Sequence, residues 1–216
     1  ADLLDRILTE HPELEFVQLQ LNYSDYDDPS VQSRKCLEVA KKHGKPVIVM
    51  EPVKGGALVN LPDEAVKEFE SLGDAAPVSY ALRYAASYPE VFMVLSGMGD
   101  MNMMQDNISS FVDFVPLNER ELKATDRARE IIREVNQIPC TACNYCAEVC
   151  RNSIPISELF AVRNKYLSAK ITAEEAKTEF PKDKPFANAC VKCGCCEQVC
   201  PQNIKIIEEL EKIAKM

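Results

Sequence analysis

No stretch of this 216-residue chain stays apolar for the roughly 18 to 20 residues that a membrane-spanning helix needs. The opening, "ADLLDRILTEHPELEF", is charged from its second residue, so it does not read as an export signal. A basic excess is missing too: 25 Lys and Arg face 34 Asp and Glu, a net charge of −9, which excludes nucleic acid as a partner. These absences imply a cytoplasmic protein that binds neither membrane nor nucleic acid. In a reducing cytoplasm a disulfide framework is not expected, so dense cysteine there points to metal. Histidine is scarce, with two residues. An apolar content of 46% against 27% charged residues suits a packed globular protein of one large or two small domains.

What the chain has in excess is cysteine. Nine of its ten cysteines fall in two short stretches, "CTACNYCAEVC" from 140 and "CVKCGCCEQVCP" from 190. Cys140, Cys143, Cys146 and Cys150 are spaced C-x2-C-x2-C-x3-C. Cys190, Cys193, Cys196 and Cys200 repeat that spacing and are followed by Pro201. This is the bacterial pattern for two iron–sulfur clusters. Two-residue gaps let three thiolates of a tight loop reach three corners of a cubane. The chain then turns into a helix that carries the fourth cysteine toward the other cluster. The spacing therefore predicts crossed sets: Cys140, Cys143, Cys146 and Cys200 for one [4Fe–4S] cluster, and Cys190, Cys193, Cys196 and Cys150 for the other. Structural zinc, the competing reading, needs four sulfur or nitrogen ligands per site. Zinc sites seldom repeat two tight triplets with a trailing Cys-Pro. Cys195 reads as a spectator beside the second set, and Cys36 as a buried helix residue.

The chain changes character near Pro116. Residues 1–117 carry 19 acids and 9 bases, a charge of −10; residues 118–216 carry 15 acids and 16 bases, or +1. In the first segment "ADLLDRILTEHP" reads as a helix and "EFVQLQLNY" as a strand. "PSVQSRKCLEVAKKHG" reads as a helix that starts near Pro29, and "KPVIVMEP" as a strand buried on both faces. "PDEAVKEFESLG" and "APVSYALRYAASYP" read as helices, "VFMVLSG" as a third strand, and "DMNMMQDNISSF" as a further helix. Strands separated by helices imply parallel βα units. From Asn118, "NERELKATDRAREIIREVNQ" predicts a long connecting helix over 118–138. Asn118 and Glu121 form its capping box, and Leu122, Thr125, Ala128, Ile132 and Val135 its buried stripe. The region 139–216 alternates cysteine motifs with short helices, "PISELFAVRNKYLSA" and "TAEEAKTEF". It contains one internal repeat, whose tails are "RNSIPISELF" and "PQNIKIIEEL".

The cysteine motifs resemble the dicluster ferredoxin family. The 39 residues between Cys150 and Cys190 bring them nearest to its helical variety. Arg151 stands where that family usually has proline, which is expected to loosen the turn without removing a ligand. Residues 1–117 resemble the aldo/keto reductases in "FVQLQLNYSD", "KKHGKPVIVMEPVKGGAL" and "VFMVLSGMGDMNMMQDNI". In that family these are the sixth, seventh and eighth strands of a (β/α)8 barrel. The whole is similar to the iron–sulfur-containing aldo/keto reductase-like oxidoreductases. The expected fold is thus a partial barrel of about three parallel strands with helices, followed by an α-helical ferredoxin-like dicluster domain.

The resemblance implies NAD(P)H as a cofactor of the intact protein. Gln20 would face the nicotinamide amide, Ser96, Gly97 and Met98 would lie near the phosphates, and Asp106 and Asn107 near the adenine. Gly55 and Gly56, which follow the preceding strand, read from their position alone as cofactor-approach glycines. Independently of family, "SGMGDMN" is a loop after a last strand, where glycines allow close approach and the next helix offers free amides to an anion. Met50 stands where an aromatic often stacks, and Met103 where an arginine often grips a 2′-phosphate. The family's catalytic Asp, Tyr, Lys and His come from strands not found here. His11 and His43 read as surface residues and Tyr23 as strand packing, so no catalytic residue is expected.

The sequence thus reads as the C-terminal part of a protein nearly twice as long. Its open barrel edge would be covered by an N-terminal barrel half or by a second copy of the chain. Three functions follow from these expectations. The first is an oxidoreductase that passes electrons between a carbonyl-type substrate or nicotinamide and two [4Fe–4S] clusters. The second is an electron-transfer module that docks a redox partner protein from a non-catalytic scaffold. The third is clusters that serve only to staple the fold. A nicotinamide moves two electrons as hydride and a cluster moves one, so direct coupling needs a converter such as flavin, for which no motif is visible.

Overall fold

The structure, a computed structural model, describes residues 1–216 except Asp74 and Asn136. Asn136, part of the expected connecting helix, lies outside the described residues. Contacts divide the chain into two units, Ala1–Ile131 and Ile132–Met216.

The first unit is built on three parallel strands: β1 (Val17–Gln20), β2 (Val47–Met50) and β3 (Val91–Val94), side by side in chain order. Gln20 pairs with Met50, and Ile48 with Met93, across a register shift between Val47 and Ile48. Helices α1 (Asp2–Glu10), α2 (Ser33–Lys42), α3 (Asp63–Glu70) and α4 (Pro77–Ala86) precede or connect the strands, and α5 (Met101–Ser109) comes after β3. The helix expected from Pro29 begins at Ser33 instead. Gln32, just ahead of it, is in the left-handed region, which keeps the preceding loop out of the helix.

The strands bury one face. Val17, Val47 and Val49 pack with Leu8, Leu37 and Ala40 of α1 and α2, in the alternation a pleated strand imposes. On the other face Ile48 is half-buried, while Met50 and Met93 are 37% and 46% exposed. The expectation that "PVIVM" is covered on both faces is therefore corrected. The packed helices cover one side, and three strands cannot curl far enough to enclose the other.

A second cluster forms where α3 and α4 meet the loop after β1. The Phe69 ring stacks on Tyr80 at 5.0 Å and lies 6.2 Å from Tyr23. The long helix α6 (Glu119–Val135) starts with the capping box that the sequence predicts. The Asn118 N–H donates to Glu121 Oε2 at 2.8 Å, and the Glu121 N–H donates to Asn118 Oδ1 at 3.1 Å. Arg83 of α4 grips the same Glu121 carboxylate with two nitrogens. The buried stripe is Ala124, Thr125, Ala128 and Ile131. Leu122 is exposed and Ile132 and Val135 only half-buried, so two of the five expected positions hold.

The second unit contains α7 (Tyr145–Glu148), α8 (Ile156–Leu167), α9 (Ala173–Glu179), α10 (Cys195–Gln198) and α11 (Ile206–Ala214). Its core joins Ile154, Ile156, Leu159 and Phe160 from the first repeat to Ile204, Ile206 and Leu210 from the second. Thr172 and Glu175 close a full capping box at α9.

Phe69 is fully buried, so Phe69→Ala should cost about 3–5 kcal/mol. Asp100 caps α5 by accepting from the Met103 N–H, and Asp100→Ala should cost about 1 kcal/mol. Anaerobic urea unfolding of both variants checks the order; equal midpoints would refute the core assignment.

Candidate functional site

The two cysteine motifs fold as one turn made twice. Ala142 and Lys192 are left-handed with φ of 54° and 56°, and so are Asn144 and Gly194 at 65° and 78°. Ser153 and Asn203 follow at 50° and 52°. The bonds repeat with the angles. The Ser153 N–H donates to Cys150 O at 3.0 Å and the Asn203 N–H to Cys200 O at 3.1 Å. Arg151 therefore does not loosen its turn: the closing bonds after Arg151 and after Pro201 differ by 0.1 Å, 3.0 against 3.1 Å.

These turns put cysteines from both motifs around shared space. One cavity, about 320 Å³ of empty volume partly open to solvent, is lined by Cys140, Cys143, Cys146 and Cys200. The other, about 360 Å³, is lined by Cys190, Cys193, Cys196 and Cys150. In each, three cysteines come from one motif and the fourth from the other. Cys146 and Cys196 are buried at the base, and Cys143 and Cys193 stand exposed at the rim.

Electrostatics follow this grouping. Burial, and after it the neighbouring Cys140, Cys143 and Cys200, push the Cys146 thiol up to about 11. Burial, with Glu197 and Cys190, pushes Cys196 up to about 11. Burial also raises Cys140, against the donating N–H of Ala142. Cys193 moves down, chiefly through the Cys195 N–H, then the Cys195 side chain, with Arg151 adding to it. The Lys192 N–H donates to Cys190 Sγ and the Ile154 N–H to Cys150 Sγ, each at 3.4 Å. Such donors favour thiolates.

The donor set suits a polynuclear iron–sulfur group held at its corners. Around one zinc, sulfurs at about 2.3 Å from the metal would stand about 3.8 Å apart. Among the described residues no three His, Cys, Asp or Glu side chains converge closely enough to hold a single ion. Cys195 does not line either cavity, and Cys36 on α2 is half-buried rather than buried.

A second polar constellation sits at the C-terminal ends of β1 and β2, where the sequence points to Gln20 and Gly55 as polar or backbone contacts but not to Asn22, Asp25, Glu51 or Lys54. Asp25, buried, accepts from Gln20 Nε2 at 2.7 Å, from Asn22 Nδ2 at 2.9 Å and from the Lys54 ammonium. Beside it, Glu51 keeps one buried oxygen without a partner; burial raises its pKa, and the Asp25 charge adds to this. Glu51, Lys54, Gly55 and Gly56 all hold positive φ. The signal for the missed residues is polar side chains directly after two strands, in "NYSD" and "EPVKGG".

The other expected nicotinamide contacts lie after β3. Asn107 Nδ2 donates to Ser96 Oγ at 2.9 Å, the space before Gly97 is open, and Met98 and Asp106 are exposed. The amides of α5 are not all free for an anion, since the Asp100 carboxylate takes that of Met103. His11 is exposed, but His43 is largely covered, with Nε2 2.6 Å from Asp5 Oδ1, which corrects its reading as a surface residue. Tyr23 is packed in the aromatic cluster and its hydroxyl has no partner, consistent with strand packing.

The model of the aldo/keto reductase family matches residues 1–130, more than half of the chain. The chain belongs to the aldo/keto reductase family. In this aldo/keto reductase chain a second family model, a 4Fe-4S dicluster domain, matches residues 136–204 and spans both cysteine motifs. Barrel-type and iron–sulfur regions thus follow one another. The chain is also similar to a heterodisulfide reductase C-subunit-like protein of Archaeoglobus profundus. The two are 30% identical over 113 residues, which are 50% of this chain and 57% of the relative. The chain thus spans little more than half of that relative's length. No solved structure matches. Among the described residues no helix is long and apolar enough to cross a membrane.

In the metal-free protein at pH 7, iodoacetamide should label Cys143 and Cys193 first and Cys146 and Cys196 last. A thiol raised to about 11 holds little thiolate at pH 7 and gains it as pH rises. Time-resolved mass spectrometry reads the order, and equal rates at all four would contradict the burial and charge described.

Proposed function

We propose that this chain is the electron-carrying part of an iron–sulfur oxidoreductase of the aldo/keto reductase family. Cys140, Cys143, Cys146 and Cys200 hold one [4Fe–4S] cluster, and Cys190, Cys193, Cys196 and Cys150 the other, in a helical ferredoxin-like unit. One observation carries this reading: each cavity is lined by three cysteines of one motif and the trailing cysteine of its partner. When bound, such clusters supply one-electron transfer. The chain's own residues orient the thiolates through the left-handed turns and donate N–H groups to their sulfurs. They also leave Cys143 and Cys193 at the rim, where a redox partner protein can approach. The name of the Archaeoglobus relative, which is that of a reductase component, favours an electron-transfer role over purely structural clusters.

A second reading concerns the strand ends. The partnerless oxygen of Glu51 beside Asp25 and Lys54 favours a polar ligand there, and nicotinamide in the intact protein is the one the family implies. Gln20 already donates to Asp25, which leaves its carbonyl oxygen for an amide N–H. The open sheet face around Met50 and Met93 would be covered by the other half of a barrel or by a second copy of this chain. Sedimentation of the chain alone as a monomer with that face exposed would count against the second copy.

Anaerobic iron and sulfide analysis should find about eight of each per chain. The quadruple Ser variant of Cys140, Cys143, Cys146 and Cys200 should keep about four irons in one intact cluster. The quadruple Ser variant of Cys140, Cys143, Cys146 and Cys150 should damage both. The reverse pattern would refute crossed ligation; zinc without sulfide would refute the clusters.

A further inference from the structure

Each cavity takes its walls from equivalent positions of the two repeats, and those walls differ in charge at one place. Among the residues lining either cavity, Arg151 is the one ionisable side chain other than cysteine. It lines the cavity of Cys150, Cys190, Cys193 and Cys196. Its counterpart in the other cavity is Pro201, which follows Cys200 as Arg151 follows Cys150. The backbone turns close alike, so the arginine is not needed for geometry. Three further features match in pairs: one buried cysteine at each base, one exposed at each rim, and one backbone N–H on the first sulfur of each loop. The Arg151 side also has the Ile154 N–H on Cys150 Sγ and the Cys195 donors on Cys193.

Other charges near the second motif are already committed. Lys192 is paired with Glu211 at 2.5 Å, and the Glu197 carboxylate accepts from the Ile207 N–H at 2.9 Å. Neither side chain lines the cavity. Among the described residues no carboxylate forms an ion pair with Arg151.

We infer that Arg151 sets the order in which the two clusters are reduced, so that the first electron settles in the cavity of Cys150, Cys190, Cys193 and Cys196. This rests on the two-cluster reading above. A guanidinium keeps its charge at any working pH. Adding one electron adds one negative charge beside it, so Arg151 stabilises the reduced state more than the oxidised one. Net charge, hydrogen bonds and exposure set cluster potentials, and Arg151 is the one difference in formal charge between the two sets of lining residues. The step is a one-electron transfer from an external one-electron donor, here dithionite; the donor is oxidised, the cluster reduced, and no bond to the protein breaks. An electron that enters by the cavity of Cys140, Cys143, Cys146 and Cys200 therefore runs downhill to the Arg151 side, which makes that rim the exit.

The test is an anaerobic redox titration of the cluster-loaded full chain, followed by electron paramagnetic resonance. Two one-electron waves are expected. Arg151→Gln should lower the upper wave, reducing the ratio of reduced to oxidised cluster at a fixed potential by about tenfold, or about 59 mV for one electron. Arg151→Lys should keep most of the separation. Pro201→Arg should raise the lower wave and narrow the gap. With about eight irons and sulfides per chain, an Arg151→Gln variant that leaves both waves in place, or moves only the lower, overturns the inference alone. A wild-type chain that assembles fewer than two clusters overturns the two-cluster reading and the inference with it.

Discussion

The second unit depends on a reach problem. Three thiolates of a tight turn can face one cavity, but the fourth leaves on a helical turn and faces away. The structure solves this by setting two such turns side by side, so that each supplies the other's missing wall. The isoleucines after each motif, Ile154 and Ile156 in one and Ile204 and Ile206 in the other, hold the pair together in a shared core. Burying Cys146 and Cys196 in that core raises their pKa and so disfavours the thiolates that a metal needs. Backbone N–H groups and the metal itself must offset this cost.

In the first unit the governing constraint is one-sided cover. Helices pack Val17, Val47 and Val49 into a core and leave the opposite face to Met50 and Met93. Polar groups collect at the C-terminal ends of the strands, where the chain leaves the ladder and backbone donors fall free. There Asp25, Asn22, Gln20 and Lys54 satisfy one another, and Glu51 is left with an oxygen unmet. The positive φ angles of Glu51, Lys54, Gly55 and Gly56 show how sharply the loop must bend.

Local patterns were legible in the sequence where one residue type sufficed. The cysteine spacing announced both loops, Asn118 and Glu121 announced the start of α6, and one alternating stretch and two apolar runs announced the strands. What was not legible depended on partners far along the chain. The stripe of α6 falls on Ala124 and Ile131 rather than Leu122 and Ile132, because the surface packed against the helix chooses its face. The uncovered side of β2 follows from helices lying on one side only. The Asp25 and Lys54 pair joins two loops 29 positions apart, and His43 meets Asp5 of another helix, 38 positions away. Gln20, Ser96 and Asn107 were placed by resemblance, and their present partners are protein groups.

The interleaving of walls also bears on ancestry. A half-length peptide with one loop and its trailing helix would enclose neither space, since each needs a cysteine from both repeats. Two such peptides related by a twofold axis would enclose both. Joining them in tandem turns an obligate dimer into a single polypeptide, and it frees the halves to diverge. Position 151 is one of the places where the two repeats differ, with arginine there and proline at 201.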